Sequence, residues 1–312
     1  MAFTSIEICA GAGGQALGLE QAGFEHIALI EIEPTACATL KMNRPMWNVI
    51  EGDVHSFTAT DYKGQVDLLA GGVPCPPFSV AGKQLGEDDE RDLFPEALRL
   101  VEECNPRAVM LENVKGIFYP KFAEYRERIL NRLHGMGYCT WWQLVQSSDY
   151  GVSQLRPRAV LVAIKEPWAG SFVWPAPRKT KPKTVGSLLC KEMSANGWKG
   201  VDVWVKQANT IAPTLVGGSK KHGGADLGPT RARVAWAKLG VDGRGLVDEA
   251  PNPDFEGMPR LTVKMTALIQ GFPDKWEFAG RKTSVYRQVG NAFPPPVAKA
   301  IGIAIREALE DE

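Results

Sequence analysis

Net charge is missing from this 312-residue chain, in which 36 Lys and Arg balance 36 Asp and Glu. The molecule as a whole would therefore not attract a polyanion. Histidine is scarce, at four residues, and none stands near a cysteine at metal-site spacing. The six cysteines (Cys9, Cys37, Cys75, Cys104, Cys139 and Cys190) form no CxxC pair and no regular series. That argues against a disulfide framework or a zinc site, and for reduced thiols in a cytoplasmic protein. Long apolar runs are missing too: Ala108–Leu111 and Ala159–Ile164 have the length of strands, far short of the ~20 residues that cross a bilayer. The opening residues carry Glu7 inside their apolar run with no basic stretch before it, so no signal peptide is expected there. What remains is an ordinary globular composition, 44% hydrophobic and 23% charged, in a chain long enough for a large core and a smaller lobe.

Charge is nevertheless uneven. Between residues 178 and 238, twelve Lys and Arg stand against three Asp and Glu, so this segment is +9 and the remainder −9. Screening limits electrostatic reach to about 8–10 Å, so a polyanion would feel the patch more than the total. A solvated basic loop region gives the same count.

The first half alternates strand-like and helical runs. Strands are expected at Ser5–Cys9, His26–Ile30, Val66–Ala70, Ala108–Leu111 and Ala159–Ile164. Helices are expected at Gln15–Ala22, from Pro34 to Met42 and near 93–103. This order predicts an α/β fold with a doubly wound, mostly parallel sheet, whose ligands sit outside the carboxyl ends of the strands. After Ile164 proline, lysine, glycine and tryptophan become frequent and periodicity fades. Residues 173–280 are therefore expected to form a separate loop-rich lobe, with a strand at Thr210–Val216 and a basic loop after it. A helix at 296–309 should return to the first lobe, so that 281–312 completes a catalytic unit begun by 1–172.

Three strand ends carry chemistry. Cys9-Ala-Gly11-Ala-Gly13-Gly14 follows the first strand and opens a helix, where glycines permit a tight turn and close backbone approach to a ligand. Glu31 follows Gly11 by about twenty residues, the position of an acid that binds a ribose hydroxyl. Together they point to a nucleoside cofactor without choosing between a dinucleotide and S-adenosylmethionine. Asp53 closes a further strand and could bind an adenine amino group or serve as a turn aspartate. At the next rim position, Gly71-Gly-Val-Pro74-Cys75-Pro places a thiol between backbone-fixing prolines. Leu111-Glu112-Asn113-Val114 brings a carboxylate to the same rim. Gln154-Leu-Arg156-Pro-Arg158 has two arginines one residue apart on an extended segment, which should project them to one side to face a phosphate and a base carbonyl.

The glycine loop, Pro74-Cys75, Glu112-Asn113-Val114, Gln154-x-Arg156-x-Arg158, Arg260-Leu-Thr262 with Leu268-Ile-Gln-Gly-Phe-Pro273, and Tyr286-Arg-Gln-Val-Gly-Asn291 occur in the order that resembles the DNA cytosine-5 methyltransferase family. The resemblance spans all but roughly 173–258. It implies an S-adenosylmethionine-dependent enzyme, without metal, that flips a cytosine out of duplex DNA and adds the Cys75 thiolate to C6. Glu112 would protonate or hydrogen-bond N3, Arg158 would hold the base carbonyl, and Arg156 would support the pocket or a phosphate. Methyl transfer to C5 would release S-adenosylhomocysteine and 5-methylcytosine. The implied cofactor residues are Cys9, Gly11, Gly13, Gly14, Glu31, Ile32, Asp53, Val54, Gly72, Pro74, Leu93 and Asn291, with Ile32 against the adenine. Ser79, Lys83, Gln154, Lys220, Lys221, Arg231 and Arg233 are the expected DNA contacts, Ser79 and Lys83 in a segment (79–91) with the glycines and polarity of a lid. Two positions depart from the family pattern: Cys9 stands where phenylalanine is usual, and Met265 where glutamate is usual.

A chain of this size without an added regulatory domain looks like a bacterial or phage restriction–modification enzyme, monomeric and cytoplasmic, with a companion endonuclease as possible partner. Three other readings stay open: an RNA cytosine-5 methyltransferase, a catalytically silent DNA-binding relative, and a nicotinamide-dependent oxidoreductase resting on the glycine loop alone.

Overall fold

Alternating strands and helices build a seven-stranded sheet in the computed structural model, which describes residues 2–74, 92–218 and 224–311. The strands are β1 (Phe3–Ile8), β2 (Phe24–Glu31), β3 (Val49–Glu51), β4 (Leu68–Gly72), β5 (Ala108–Val114), β6 (Tyr138–Gln146) and β7 (Pro157–Lys165), in the spatial order β3-β2-β1-β4-β5-β7-β6. β1 to β5 run parallel, and β7 is antiparallel to β5. Parallel neighbours need crossovers; α1 (Gly14–Ala22), α2 (Pro34–Asn43) and α3 (Phe94–Cys104) lie in three of them. The chain leaves β1 toward β2 on one side and comes back to β4 on the other. That reversal of winding opens a crevice at the carboxyl ends of β1 and β4. Because β7 is reversed, it begins at this same rim.

Strands covered on both faces read as continuous apolar runs, and Ala108–Leu111 and Ala159–Ile164 are inaccessible throughout. Ile6, Ile8, Leu69, Val109, Leu111, Leu161 and Phe94 share one core. β1 and β4 approach closely at the crevice. A Cβ on Gly71 would lie 2.6 Å from Ile8 Cγ1 and 2.8 Å from the Ile8 carbonyl oxygen.

Two compact units divide the chain. The first comprises Met1–Val145, Pro157–Ala176 and Ala298–Glu312; the second comprises Gln146–Arg156 and Pro177–Val297. The division thus differs from 173–280: the second unit also takes in 146–156 and 281–297. In the first unit, helix α10 (Pro295–Glu310) packs from Ala298 onward on α1, where a Cβ on Gly302 would touch Ala22 and Leu19 at 2.9 Å. Arg306 Nη1 donates to the Ala22 carbonyl at the end of α1.

The second unit is more helical than its sequence texture suggests. α5 (Val185–Met193), α6 (Val201–Gln207), α7 (Thr230–Lys238), α8 (Val263–Gln270) and α9 (Lys282–Asn291) enclose a core around Leu189, Trp204, Trp236, Leu261, Ile269 and Tyr286. Helices of two or three turns leave little periodicity to read. The strand expected at Thr210–Val216 is not formed. Ala212 alone makes an isolated bridge, to Gln154, and Pro213 has no N–H to continue it. Helix α4 (Ala123–Gly135) and the edge strand β6 were not foreseen.

Gly71→Ala is expected to cost about 1–3 kcal/mol of stability through overpacking against backbone. Urea unfolding measures this, and an unchanged midpoint would count against the close β1–β4 approach.

Candidate active site

The β1–α1 connection turns sharply because Cys9 (φ 52°), Gly11 (54°) and Gly13 (80°) take left-handed backbone. For Cys9 that conformation costs about 1–3 kcal/mol, a strain typical of functional loops. Gly13 is the N-cap of α1 and Gly14 its first residue. A Cβ on Gly11 would meet nothing nearer than the Cys9 carbonyl at 4.0 Å, so a ligand has room to approach this backbone. Glu31 ends β2 as expected and also ties down the loop. Its carboxylate accepts from Gly11 N at 2.6 Å and from Glu33 N at 2.8 Å. A carboxylate offers about four acceptor sites, which leaves capacity for a ligand hydroxyl.

Burial raises the Glu31 carboxyl above its usual range, and the N–H groups of Glu33 and Gly11 draw it back. Burial likewise raises Glu7, beneath the loop. The Cys9 thiol is pushed far up, first by burial and then by Glu31, Glu7 and Asp53, so it is neutral. Next to Glu31, the Ile32 side chain is 58% exposed, an apolar surface beside the acid. Open glycine backbone, an anchored acid and an exposed isoleucine fit the amino-acid, ribose and adenine parts of S-adenosylmethionine.

Other expected cofactor residues divide. Gly72 lies at the rim, where a Cβ would come within 3.4 Å of Glu112 Oε2. Pro74 is exposed, and its carbonyl accepts from Leu93 N at 3.4 Å. Asp53 uses Oδ1 to accept from His55 N at 3.0 Å and to pair with His55 Nδ1 at 2.7 Å, as a turn aspartate does. These contacts, the backbone one foremost, lower its pKa. The Val54 side chain is buried in the core. Asn291 belongs to the second unit, where its Nδ2 donates to the Gly218 carbonyl at 3.4 Å.

Cys75, Ser79, Lys83, Lys220 and Lys221 lie outside the described residues. The groups beside Cys75 in sequence and sheet are placed. Asn113 Nδ2 donates to the Val73 carbonyl at 3.0 Å, bracing the strand end that leads to Pro74. Glu112, only 8% exposed, pairs with Arg158, whose Nε lies 2.7 Å from Glu112 Oε1. The antiparallel register sets this up, since Val114 lies opposite Arg158 and Glu112 opposite Val160. Burial lowers the Arg158 pKa, and the charge and hydrogen bond of Glu112 oppose that. Arg158 Nη1 donates to the Pro157 carbonyl, so N–H groups beyond these two bonds can address a substrate oxygen.

The two arginines do not act side by side. Arg156 is fully buried within the second unit, and its guanidinium donates to the carbonyls of Leu215 (2.9 Å), Gly290 (2.7 Å) and Ala292 (3.1 Å). Of the two roles expected of Arg156, support of the pocket or of a phosphate, its burial and these three bonds leave no exposed N–H for a phosphate. Gln154, an expected DNA contact, is also inaccessible, and its side-chain amide is engaged inside the second unit. Its Nε2 donates to Gln270 Oε1 at 2.7 Å, and its Oε1 accepts from Leu215 N at 2.8 Å. Arg231 is exposed on α7, while Arg233 is partly spent on the Gly228 carbonyl. Met265 explains its own departure. Thr262 caps α8, and the Met265 sulfur accepts from Thr262 N at 3.4 Å, closing a capping box in which glutamate is the usual partner. Among the described residues no cluster of His, Cys, Asp and Glu could hold a metal, and no helix is long and apolar enough to cross a membrane.

A doubly wound sheet with this rim is the Rossmann-like fold of S-adenosylmethionine-dependent methyltransferases. The model of C-5 cytosine-specific DNA methylases matches residues 3–307, and the chain belongs to that family of enzymes. It is 58% identical over 315 aligned positions to the Type II methyltransferase M.NgoMIV of Neisseria gonorrhoeae, covering both chains fully. Identity to the Type II methyltransferase M.NaeI of Lentzea aerocolonigenes is also 58%, over 98% of this chain and 75% of that protein. In fold it is similar to a Spodoptera frugiperda DNMT2 mutant (TM-score 0.67, 18% identity, 99% of this chain and 100% of that one). The Entamoeba histolytica methyltransferase EhMeth gives a TM-score of 0.69 at 14% identity, covering 100% of both chains.

Arg156→Met would leave the carbonyls of Leu215 and Gly290 without their side-chain donor, while Ala292 keeps Gln270 Nε2, and is expected to cost about 2 kcal/mol or more of stability. Chemical denaturation decides the matter. A variant of full stability that has lost methyl transfer would instead assign Arg156 to the reaction.

Proposed function

We propose that this chain is the modification enzyme of a type II restriction–modification system, methylating C5 of one cytosine within a short duplex sequence, with Cys75 as nucleophile. The observation that carries the chemistry is the buried Glu112–Arg158 pair at 2.7 Å, on the rim beside the strand that leads to Pro74 and Cys75. The names of its relatives M.NgoMIV and M.NaeI support the biological setting. A companion endonuclease acting on the same site, a monomeric enzyme and a place in the cytoplasm with the DNA belong to the same reading.

Cytosine C5 is a weak nucleophile until C6 is attacked. Cys75, as thiolate, forms the C6–S bond, and the electron pair of the C5–C6 double bond shifts into the ring as N3 takes a proton or hydrogen bond from Glu112. Arg158 holds the base carbonyl and the Glu112 carboxyl in one place, so that stabilisation is already arranged when charge develops. Gly11, Gly13, Glu31 and Ile32 would hold S-adenosylmethionine, which would supply an electrophilic methyl group on a sulfonium with a neutral thioether as leaving group. C5 takes that methyl group, then loses its proton, and the returning electron pair expels the Cys75 thiolate. This requires an unstacked base, so the cytosine is flipped from the duplex. Arg231 and Arg233, with Lys220 and Lys221, are assigned to DNA, chiefly its phosphates.

Incubation with S-adenosylmethionine and a plasmid, followed by bisulfite sequencing, is expected to protect one cytosine in a single short motif. Cys75→Ser should lower methylation by at least about a thousandfold and Glu112→Gln by about a hundredfold or more. Methyl transfer to tRNA in place of the plasmid would overturn the substrate, and a fully active Cys75→Ser enzyme would overturn the mechanism.

A further inference from the structure

The ends of the segment that carries Cys75 are fastened at three points. Val73 is held by Asn113, and the Pro74 carbonyl by Leu93 N at 3.4 Å. The third point is Asp92, which is 6% exposed and accepts from Phe94 N at 3.1 Å in the first turn of α3. Its two carboxylate oxygens lie 2.6 and 2.7 Å from the hydroxyl of Tyr125 on α4. That hydroxyl is a fixed point. The Tyr125 ring stands edge-on to Phe94 at 6.0 Å, and the Arg128 guanidinium lies over it at 5.9 Å. A carboxylate this buried depends on its donors for its position.

We propose that the Tyr125–Asp92 pair is a positioning device for methyl transfer. By fixing Asp92 it fixes Leu93, by fixing Leu93 it fixes the Pro74 carbonyl, and Pro74 is bonded to the nucleophile. This rests on the assignment of Cys75 as that nucleophile. The chain of contacts is short: one hydroxyl on α4, one carboxylate, one backbone N–H and one backbone carbonyl. A displacement of about 1 Å at a reacting group can cost about a hundredfold in rate, so losing the Tyr125 hydroxyl should register in chemistry before it registers in binding. A simple helix cap behaves otherwise, losing stability and all activities together.

The test uses the duplex site located by bisulfite sequencing, with 5-fluorocytosine at the target. Fluorine cannot leave C5 as the proton does, so elimination is blocked and the adduct between Cys75 and C6 accumulates after methyl transfer, visible on a denaturing gel. With saturating S-adenosylmethionine and DNA, Tyr125→Phe is expected to form adduct about ten- to a hundredfold more slowly than wild type. Its dissociation constants for S-adenosylmethionine and duplex should stay within about twofold, and its melting temperature should hold within the few degrees that one hydrogen bond contributes. Asp92→Asn keeps an acceptor for Phe94 N and a partner for the Tyr125 hydroxyl, and should retain the rate within about threefold. Adduct formation by Tyr125→Phe at the wild-type rate would overturn the proposal. So would a parallel fall in rate, binding and melting temperature. A wild-type enzyme that methylates cytosine yet never forms the adduct would overturn the Cys75 reading instead.

Discussion

A carboxyl group at 8% exposure needs polar partners inside the protein, and for Glu112 the Arg158 guanidinium is one. This one ion pair constrains much of the first unit. It requires a strand that starts where β5 ends, and the reversed β7 is that strand. Gly72 on β4 lies beside it, where a Cβ would stand in contact with Glu112 Oε2 at 3.4 Å. Five parallel or nearly adjacent strand ends then share one rim, so the glycine loop, Glu31, Pro74 and Glu112 converge although they are scattered over a hundred residues of sequence.

The glycine loop is organised by a similar economy. Glu31 stands out in the sequence as a candidate ribose ligand because it ends the strand after the loop. Its acceptance of the Gly11 N–H does not, because a hydrogen bond between residues twenty positions apart leaves no trace in local pattern. The family's phenylalanine is replaced by Cys9, whose thiol burial and neighbouring acids keep neutral. Met265 shows the converse case. A substitution that looks like the loss of a polar cap proves conservative, because sulfur takes the same N–H and the rest of the side chain joins the core.

The sequence made the parallel sheet, its order of elements and its rim legible, because strands buried on both faces are continuous apolar runs and glycine or proline marks their ends. Less of the second unit could be read. Trp204 and Trp236 lie in its core on helices too short to show a period, and Thr210–Val216 has strand-forming residues but no partner strand. The arginine pair exposes a further limit. Alternation along an extended segment places Arg156 and Arg158 on one side, but the boundary between the units falls between them. Arg156 meets three carbonyls and Arg158 meets a carboxylate, and only tertiary structure distinguishes those fates.

The packing of α10 on α1 carries a consequence for biosynthesis. Gly302 nests against Ala22 and Leu19, and Arg306 reaches the Ala22 carbonyl across 284 positions of chain. Contacts of that sequence separation close slowly, because the intervening loop entropy must be overcome first. During synthesis at about 5–20 residues per second, the apolar face of α1 waits roughly fifteen to sixty seconds for its cover. The second unit, by contrast, can assemble almost entirely from residues made before α10 emerges. The unit begun first in translation is therefore also the one completed last.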